Sequence, residues 1–459
     1  MSSTADAQPK QAPSPASLRP ASPSPSWFRS LSRHVTDRDA TRRDQPGLLA
    51  ALAADSDTRV LLVDARGRVA LAAQAGIAEL PDDGLTPSVP TDADRAVWHQ
   101  GPAASSGPGR TGGSGELGDL GGTGAPSGAA NPRKPLKPDH PGGASAAEPR
   151  LATLTVADLP ATLREELIRA AQEPKPADSR LQLIYLGQEP GPCGPKAGQR
   201  PAAWLGVVVP AETAADATAL AAGITPGTPA SPVPQDAEGA ALQDAGLLKL
   251  LARYPLTALR AIGAELDAHD AGLATPATAL ATWHARTSFC PACGGKLVPV
   301  QAGWARACQA CGGLHFPRTD PAVIMAVTDV ADRLLLVHGA TWSARRYSVV
   351  AGFVEAGESA EQAVYREVWE ETGLRVTSVE PFATQPWPFP RSLMLGYRAR
   401  LAAGETQPRP DGQEVTEALW FSRCELVAAL QAGRIGLPGP TSIARALIED
   451  WLGAAPHCH

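Results

Sequence analysis

Short apolar runs closed by turn residues predict strands at Arg59–Asp64 (R-V-L-L-V-D), Arg68–Leu71, Leu181–Leu186 (L-Q-L-I-Y-L) and Trp204–Val209 (W-L-G-V-V-V). A second group follows at Ala322–Thr328 (A-V-I-M-A-V-T), Arg333–His338 (R-L-L-L-V-H) and Tyr347–Phe353, with a hairpin at Asp329–Asp332. Apolar residues at helical spacing mark Pro46–Ala54, Leu247–Tyr254, Leu259–His269 and Pro276–His284. In the last of these, Thr275 is placed to cap and Pro276 to take the first helical position, where a missing N–H costs nothing. One more helix opens at Ser359, which forms a capping box with Gln362, and stops at Gly373. The pattern is mixed α/β.

Composition divides this pattern. A chain of 459 residues is too long for one ordinary domain, and two or three are expected. Hydrophobic content of 43% supports real cores, while 44 Gly and 45 Pro imply long unstructured segments. These are read as a disordered leader at 1–26, a flexible insertion at 100–150 with a small basic island (Arg133, Lys134, Lys137), a loose loop at 222–238 and a frayed tail at 454–459. The net charge of -6 argues against a global nucleic-acid-binding surface, though not against a local basic groove. No run of 18 apolar residues exists and the N-terminus lacks an apolar signal segment, so a cytoplasmic protein is expected, with no membrane partner.

Seven cysteines sharpen the picture, because four of them form two C-x2-C pairs. Cys290 and Cys293 are separated from Cys308 and Cys311 by 14 residues, with paired glycines just after each knuckle. That spacing suits one structural, tetrahedral four-cysteine zinc ion in a reducing compartment, with every coordination position filled by protein. Few basic or aromatic residues lie inside the ribbon (Lys296, Trp304, Arg306), so a scaffold or dimerisation role is expected rather than nucleic-acid binding. Cys424 is expected to be a small buried apolar residue.

The strongest chemical signal is the Ser359 helix. At 3.6 residues per turn, Glu367, Glu370 and Glu371 fall within an arc of about 100°. Three carboxylates on one face repel one another unless cations occupy the site, and hard oxygen ligands at that density suit Mg²⁺ or Mn²⁺ and phosphate chemistry. The spacing G-x5-E-x7-R-E-U-x-E-E-x-G-U, with U aliphatic, is matched at Gly352, Glu358, Arg366, Glu367, Val368, Glu370, Glu371, Gly373 and Leu374. This stretch resembles the Nudix box. Ten residues past it, Thr384-Gln385-Pro386-Trp387-Pro388-Phe389-Pro390-Arg391-Ser392 forms a stiff segment that presents aromatic faces. It resembles the S-Q-P-W-P-F-P-x-S motif of the NADH pyrophosphatases (NAD diphosphatases) among Nudix hydrolases, with Thr384 replacing the first Ser.

The resemblance implies a Nudix α/β/α sandwich at 317–453, preceded by the zinc ribbon (287–316), a helical connector (246–286) and a small mixed α/β, Nudix-like N-terminal domain (27–245). It implies hydrolysis of the pyrophosphate of NAD(H) to nicotinamide mononucleotide and AMP, with 5′-NAD-capped RNA as a second substrate and a homodimeric assembly. Glu367 and Glu371 are read as metal ligands and Glu370 as ligand or general base. The resemblance adds the carbonyl of Ala351 and Glu414 to the metal set, with Glu417 ranked below Glu414. Arg366 is expected to orient the glutamates and Glu358 to shape the loop. For substrate, the resemblance implies Gln385, Pro386, Trp387, Pro388, Phe389, Pro390, Arg391, Ser392 and Ala444, with Phe316 and Phe353 placed to stack on a base; many relatives have Tyr where Phe316 stands. The competing readings are a Nudix hydrolase of ADP-ribose or a diadenosine polyphosphate, against which the Gln385–Pro390 segment speaks, and a non-catalytic nucleotide- or RNA-binding module. Loss of a box glutamate would favour the latter, and none is lost.

Overall fold

The computed structural model describes residues 31–33, 35–72, 149–172, 180–189, 201–210, 213–217 and 237–453. The expected leader 1–26, the basic island, the tail 454–459 and nearly all of 100–150 and 222–238 lie outside those residues. Chain contacts divide the protein into two units, Met1–Gln74 with Ala146–His459, and Ala75–Ser145; everything described here belongs to the first.

The N-terminal strands are β1 (Arg59–Asp64), β2 (Arg68–Ala70), β3 (Leu154–Thr155), β4 (Gln182–Gln188), β5 (Ala203–Val209) and β6 (Leu256–Ala258). They form one sheet in the order β4-β5-β1-β2-β6, with β3 beside β1 and a parallel β1–β5 pair. Successive side chains of β1 point to opposite faces, as a strand requires. Val60 and Leu62 join a core with Leu163 and Leu167 of α2 (Ala161–Ala170) and with Leu247 and Leu250 of α3 (Ala237–Arg253), near α1 (Leu48–Ala54). Leu61 and Val63 face the other way, onto Leu273, Ala277 and Leu280 of α5 (Ala268–Arg286).

The stretch 246–286, expected to be a connector, is therefore part of this sheet's architecture: it supplies β6 as an edge strand and α5 as a whole face. Two local expectations within it fail. In the predicted Leu259–His269 segment Leu259–Ile262 (α4) is helical, the helix breaks after Ile262, and Ala268 and His269 belong to the next helix; at Gly263 an added Cβ would lie 2.6 Å and 2.8 Å from the side chains of Leu31 and Thr441. The following helix starts earlier than predicted, at Ala268, capped by Asp267, whose side chain accepts from the Asp270 amide at 2.8 Å, and it runs through Pro276. Burial of Leu273, Ala274 and Ala277 against the sheet outweighs the rung that Pro276 removes.

The ribbon follows as a three-stranded sheet of β7 (Leu297–Val300), β8 (Ala305–Cys308) and β9 (Leu314–His315). Its two knuckles are alike: the Cys290 and Cys308 amides donate to the carbonyls of Gly295 and Gly313, and Gly294 and Gly312 take positive φ of 73° and 72°. Buried Arg306 ties this sheet to the end of α5, with its Nε donating to His284 Nδ1 (2.9 Å) and an Nη to the His284 carbonyl (3.0 Å).

The C-terminal sheet runs β13 (Val376–Trp387), β14 (Ser392–Leu401), β10 (Asp320–Thr328), β11 (Leu334–Gly339) and β15 (Val415–Phe421), with β12 (Val350–Phe353) on the start of β10. The hairpin at Asp329–Asp332 forms as expected, whereas only the last four residues of the predicted Tyr347–Phe353 strand are strand. One face packs on Ala363, Val364 and Val368 of α6 (Ala360–Thr372). The other packs on α7 (Arg423–Gln431) and α8 (Ile443–Leu452) through Leu426, Leu447 and Ile448. This is the α/β/α sandwich. Cys424, expected to be buried, is exposed. Among the described residues, no helix is long and apolar enough to cross a membrane.

Candidate active site

The acidic helix α6 is fixed at both ends by its own sequence. Ser359 and Gln362 close the capping box, and Gly373 at φ 64° ends the helix in the left-handed region that glycine tolerates. Along its inner face Glu367 and Glu371 are each only 7% exposed, while Glu370 turns outward. Arg366 holds this face in register. Its guanidinium donates to Glu358 through Nε and an Nη (2.9 Å each), to Glu367 (2.8 Å), to Glu370 (2.9 Å) and to the Phe353 carbonyl (2.8 Å). Glu358 also accepts from the Glu355 amide at 3.0 Å, which closes the glycine-rich loop before the helix.

Burial pushes the Glu371 carboxyl up to about 9, and the charges of Glu367, Glu414, Asp411 and Glu370 add to the shift. Burial likewise raises Glu367, against the opposing pull of Arg366. Glu414 thus stands in the field of both inner glutamates. Glu417 is engaged elsewhere, accepting from the Tyr347 hydroxyl. Asp411 was not legible as a site residue. Its carboxylate accepts from the amides of Gln413, Glu414 and Val415 and so builds the turn that carries Glu414; the Asp-Gly pair ahead of that glutamate is the sequence signal for such a turn. An oxygen-only donor set, with Glu367 and Glu371 buried and Glu414 exposed beside them, fits a divalent cation, which relieves the repulsion that adds to the shift of Glu371.

The sign of this shift sets a pH dependence. Without a cation, the folded chain holds the Glu371 proton to higher pH than the unfolded chain does, so it binds more protons between the ordinary carboxylate range and about 9. Without added divalent ions, the melting temperature should therefore fall as pH rises through that window. Glu371→Gln should flatten the slope, and equal slopes in thermal unfolding of the two proteins would contradict this.

Gly352 has a role beyond its turn. An added Cβ there would lie 1.9 Å from the Glu367 carboxyl carbon, so the absence of a side chain is what lets that carboxylate lie against β12 beside Ala351. Gly352→Ala is expected to displace Glu367 and lower turnover about a hundredfold, as loss of a metal-orienting contact does. Steady-state kinetics with a divalent-ion titration checks it: the variant should also need more metal.

The second motif lies on the far side of β10. The Cα partner of Ala322 is Phe353 in β12 on one flank and Met394 in β14 on the other, so two strand spacings, about 10 Å, separate the acidic loop from the end of the motif. Pro386, Trp387, Pro388, Pro390, Arg391 and Ser392, together with Phe316, line a cavity of about 490 Å³. Phe316 and Phe353 are 59% and 46% exposed, open to a planar ligand. Arg391 is held at 2.7 Å by Asp320, which also accepts from Arg318.

Three motif expectations change. Gln385 is fully buried, its amide donating to the Thr441 carbonyl and accepting from the Ile443 amide (2.8 Å each), so it positions the segment and has no group left for substrate. Phe389 packs on the N-terminal core beside Gly67 and is not among the cavity-lining residues. Ala444 is 3% exposed and packs under the C-terminal sheet. In each case a partner distant in sequence claims the side chain.

The four ribbon cysteines bring their sulfurs within 4.8 Å of one another. Cys290 to Cys311 is 3.9 Å and Cys293 to Cys308 is 3.4 Å, close to the roughly 3.8 Å edge of a tetrahedron with zinc–sulfur bonds of about 2.3 Å. The Cys311 amide points at the Cys308 sulfur and lowers that thiol to about 6, toward the thiolate a zinc ion requires.

Residues 318–437 match the NUDIX domain and residues 285–316 the NADH pyrophosphatase zinc ribbon domain. A protein of Mycobacterium bovis named NAD-capped RNA hydrolase NudC is 46% identical over 201 residues, covering 42% of this chain and 64% of the relative. The like-named protein of Stutzerimonas stutzeri is 43% identical over 176 residues, 38% of this chain and 60% of the relative. The chain therefore spans somewhat less than two thirds of the length of the curated relatives it matches. Among solved structures, a Nudix hydrolase from Nitrosomonas europaea aligns over 38% of this chain and 94% of its own at 21% identity and a TM-score of 0.31.

Proposed function

We propose that this chain, which carries a Nudix domain behind an NADH pyrophosphatase zinc ribbon, hydrolyses the pyrophosphate bond of NAD(H) to nicotinamide mononucleotide and AMP and removes 5′-NAD caps from RNA. The observation that carries this reading is the pairing of the buried Glu367 and Glu371, in the field of the exposed Glu414, with the aromatic and proline-stiffened segment on the other side of one strand. Glu367, Glu371, Glu414 and the Ala351 carbonyl would hold Mg²⁺ or Mn²⁺. Bound there, a divalent ion supplies charge neutralisation at the pyrophosphate and a more acidic water.

The chain's own residues do the rest. Glu370, outward and in contact with Arg366 at 2.9 Å, accepts a proton from the attacking water on its carboxylate. The water oxygen bonds to phosphorus as the bridging P–O bond breaks, and each half leaves as a phosphomonoester. Arg366 fixes the spacing between Glu358, Glu367 and Glu370, so these carboxylates need not rearrange during the reaction. Phe353, Phe316 and Trp387 present faces for the bases, and Arg391 a cation for a phosphate oxygen.

The same reading includes one zinc per chain and a homodimer, for which Phe289, Leu314 and Phe316, all more than half exposed on or beside the ribbon, offer an apolar contact surface. A cytoplasmic location is supported by the reduced ribbon thiols. Steady-state hydrolysis of NADH, NAD⁺, NAD-capped RNA and ADP-ribose side by side, with Mg²⁺ and with Mn²⁺, tests the function. The reading requires NADH or NAD-capped RNA to exceed ADP-ribose in kcat/KM, and preference for ADP-ribose would overturn it.

A further inference from the structure

The cavity beside the motif has a second wall that the reading above leaves unused. Opposite Pro386–Ser392 it is built by α5, the ribbon and the segment before α1, through Trp283, Arg286, Trp304 and Arg38. Its lining contains no carboxylate, although the protein as a whole carries a net charge of -6. Four arginines are among its lining residues, Arg38, Arg286, Arg318 and Arg391. Arg318 and Arg391 share the one carboxylate of Asp320, and neither Arg38 nor Arg286 forms an ion pair with a described residue. Four cations against one anion, around an apolar hollow of about 490 Å³, make a local excess of three positive charges.

Charge alone would suit any anion, but the indoles narrow the class. Trp283 and Trp304 are half-buried on this wall, Trp304 with the Arg43 guanidinium over one face of its ring, and Trp387 lines the cavity from the motif. Flat π surfaces beside guanidiniums bind a stacked base together with its phosphate, and the volume lies within the roughly 300–1,000 Å³ of ordinary ligand pockets. The cavity's motif wall ends at Ser392, next to Asp320 in β10, while Phe353 lies across the same strand end with its carbonyl bound to Arg366. A polynucleotide with its first pyrophosphate at the acidic helix can therefore continue into this hollow.

We propose that the α5–ribbon wall binds a nucleotide of single-stranded RNA downstream of the scissile pyrophosphate, with Arg38 and Arg286 on its phosphates and an indole on its base. This rests on the NAD-cap reading for its direction but not for its measurement. Binding of a short 5′-monophosphorylated single-stranded oligoribonucleotide, which has no pyrophosphate to cut, is followed by fluorescence anisotropy over a salt series with the full chain. Replacing both residues (Arg38→Gln with Arg286→Gln) should raise Kd at least about tenfold and make the log–log salt slope shallower by about 1.4, the effect of losing two single-strand phosphate contacts. The double lysine variant, which keeps the charges, should keep the slope. An unchanged Kd and slope in the glutamine variant would overturn the proposal. So would free AMP binding as tightly as the oligonucleotide, which would mark a mononucleotide site. Equal losses of kcat/KM for NADH and NAD-capped RNA would place the arginines on the dinucleotide and overturn it as well. Should neither NADH nor NAD-capped RNA prove to be a substrate, the functional reading fails while the oligonucleotide measurement still decides this one.

Discussion

Glu371→Gln is expected to lower NADH turnover by about a thousandfold or more, the scale on which losing a charge-stabilising group at the reacting centre acts, while leaving the fold intact. The reason for both halves lies in the same burial. Glu371 is 7% exposed among Glu367, Glu414 and Asp411, and without a cation its carboxyl is driven to about 9. As a metal ligand it has no substitute from solvent. As a structural residue it is a liability, because ionising it sets a buried charge against those of Glu367, Glu414, Asp411 and Glu370, and the neutral amide of the same shape removes that cost. The melting temperature without added Mg²⁺ or Mn²⁺ should therefore hold or rise as turnover collapses. Near wild-type turnover in the variant would remove Glu371 from the metal set.

Cys290→Ser should act in the opposite way, on structure first and chemistry second. The ribbon's apolar core is only Cys290, Leu297 and Cys308, too little to fold three short strands without a metal. Structural zinc in small domains contributes on the order of 10–16 kcal/mol to folding, and a serine oxygen replaces thiolate poorly. The variant should lose its zinc, measured as one equivalent per chain in the parent by elemental analysis, and melt at a lower temperature. Activity should fall with the ribbon, because His315 and Phe316 at its end and Trp304 within it line the cavity beside the motif. Full zinc retention would contradict a four-cysteine site.

Much of this was legible in the chain because its signals are local. The Ser359–Gln362 box, the Gly373 stop and the hairpin at Asp329–Asp332 each depend on residues within a few positions, and each forms as its sequence requires. The knuckles are equally local: Gly294 and Gly312 supply the positive φ that the chain needs to turn back onto its cysteines. What the chain hid is what distant segments decide. Pro276 reads as a helix start, but α5 begins at Ala268, capped by Asp267, because a whole sheet face waits for Leu273 and Ala274. Gln385 reads as a substrate ligand, but Thr441 and Ile443, 56 and 58 residues away, occupy both ends of its amide.

The N-terminal sheet illustrates the same limit for function. No catalytic constellation is evident in it, yet it reaches the motif at several points. Ser32 donates to the Thr384 carbonyl at 2.9 Å, the Ala264 amide donates to Thr441 at 3.1 Å, and Trp387 and Phe389 pack on its core. A stiff segment such as Gln385–Pro390 keeps its aromatic faces in place only if something rigid backs it. This sheet and α5 provide that backing, and the acidic helix across β10 provides the charge.

Cleavage of a pyrophosphate by the acidic face of α6 can be read from the products of NADH turnover. With a divalent ion present, the products resolved by chromatography and mass should be reduced nicotinamide mononucleotide and AMP in equal amounts, absent with Glu371→Gln. Release of free nicotinamide with ADP-ribose, or no turnover by the intact chain with either metal, would contradict the account.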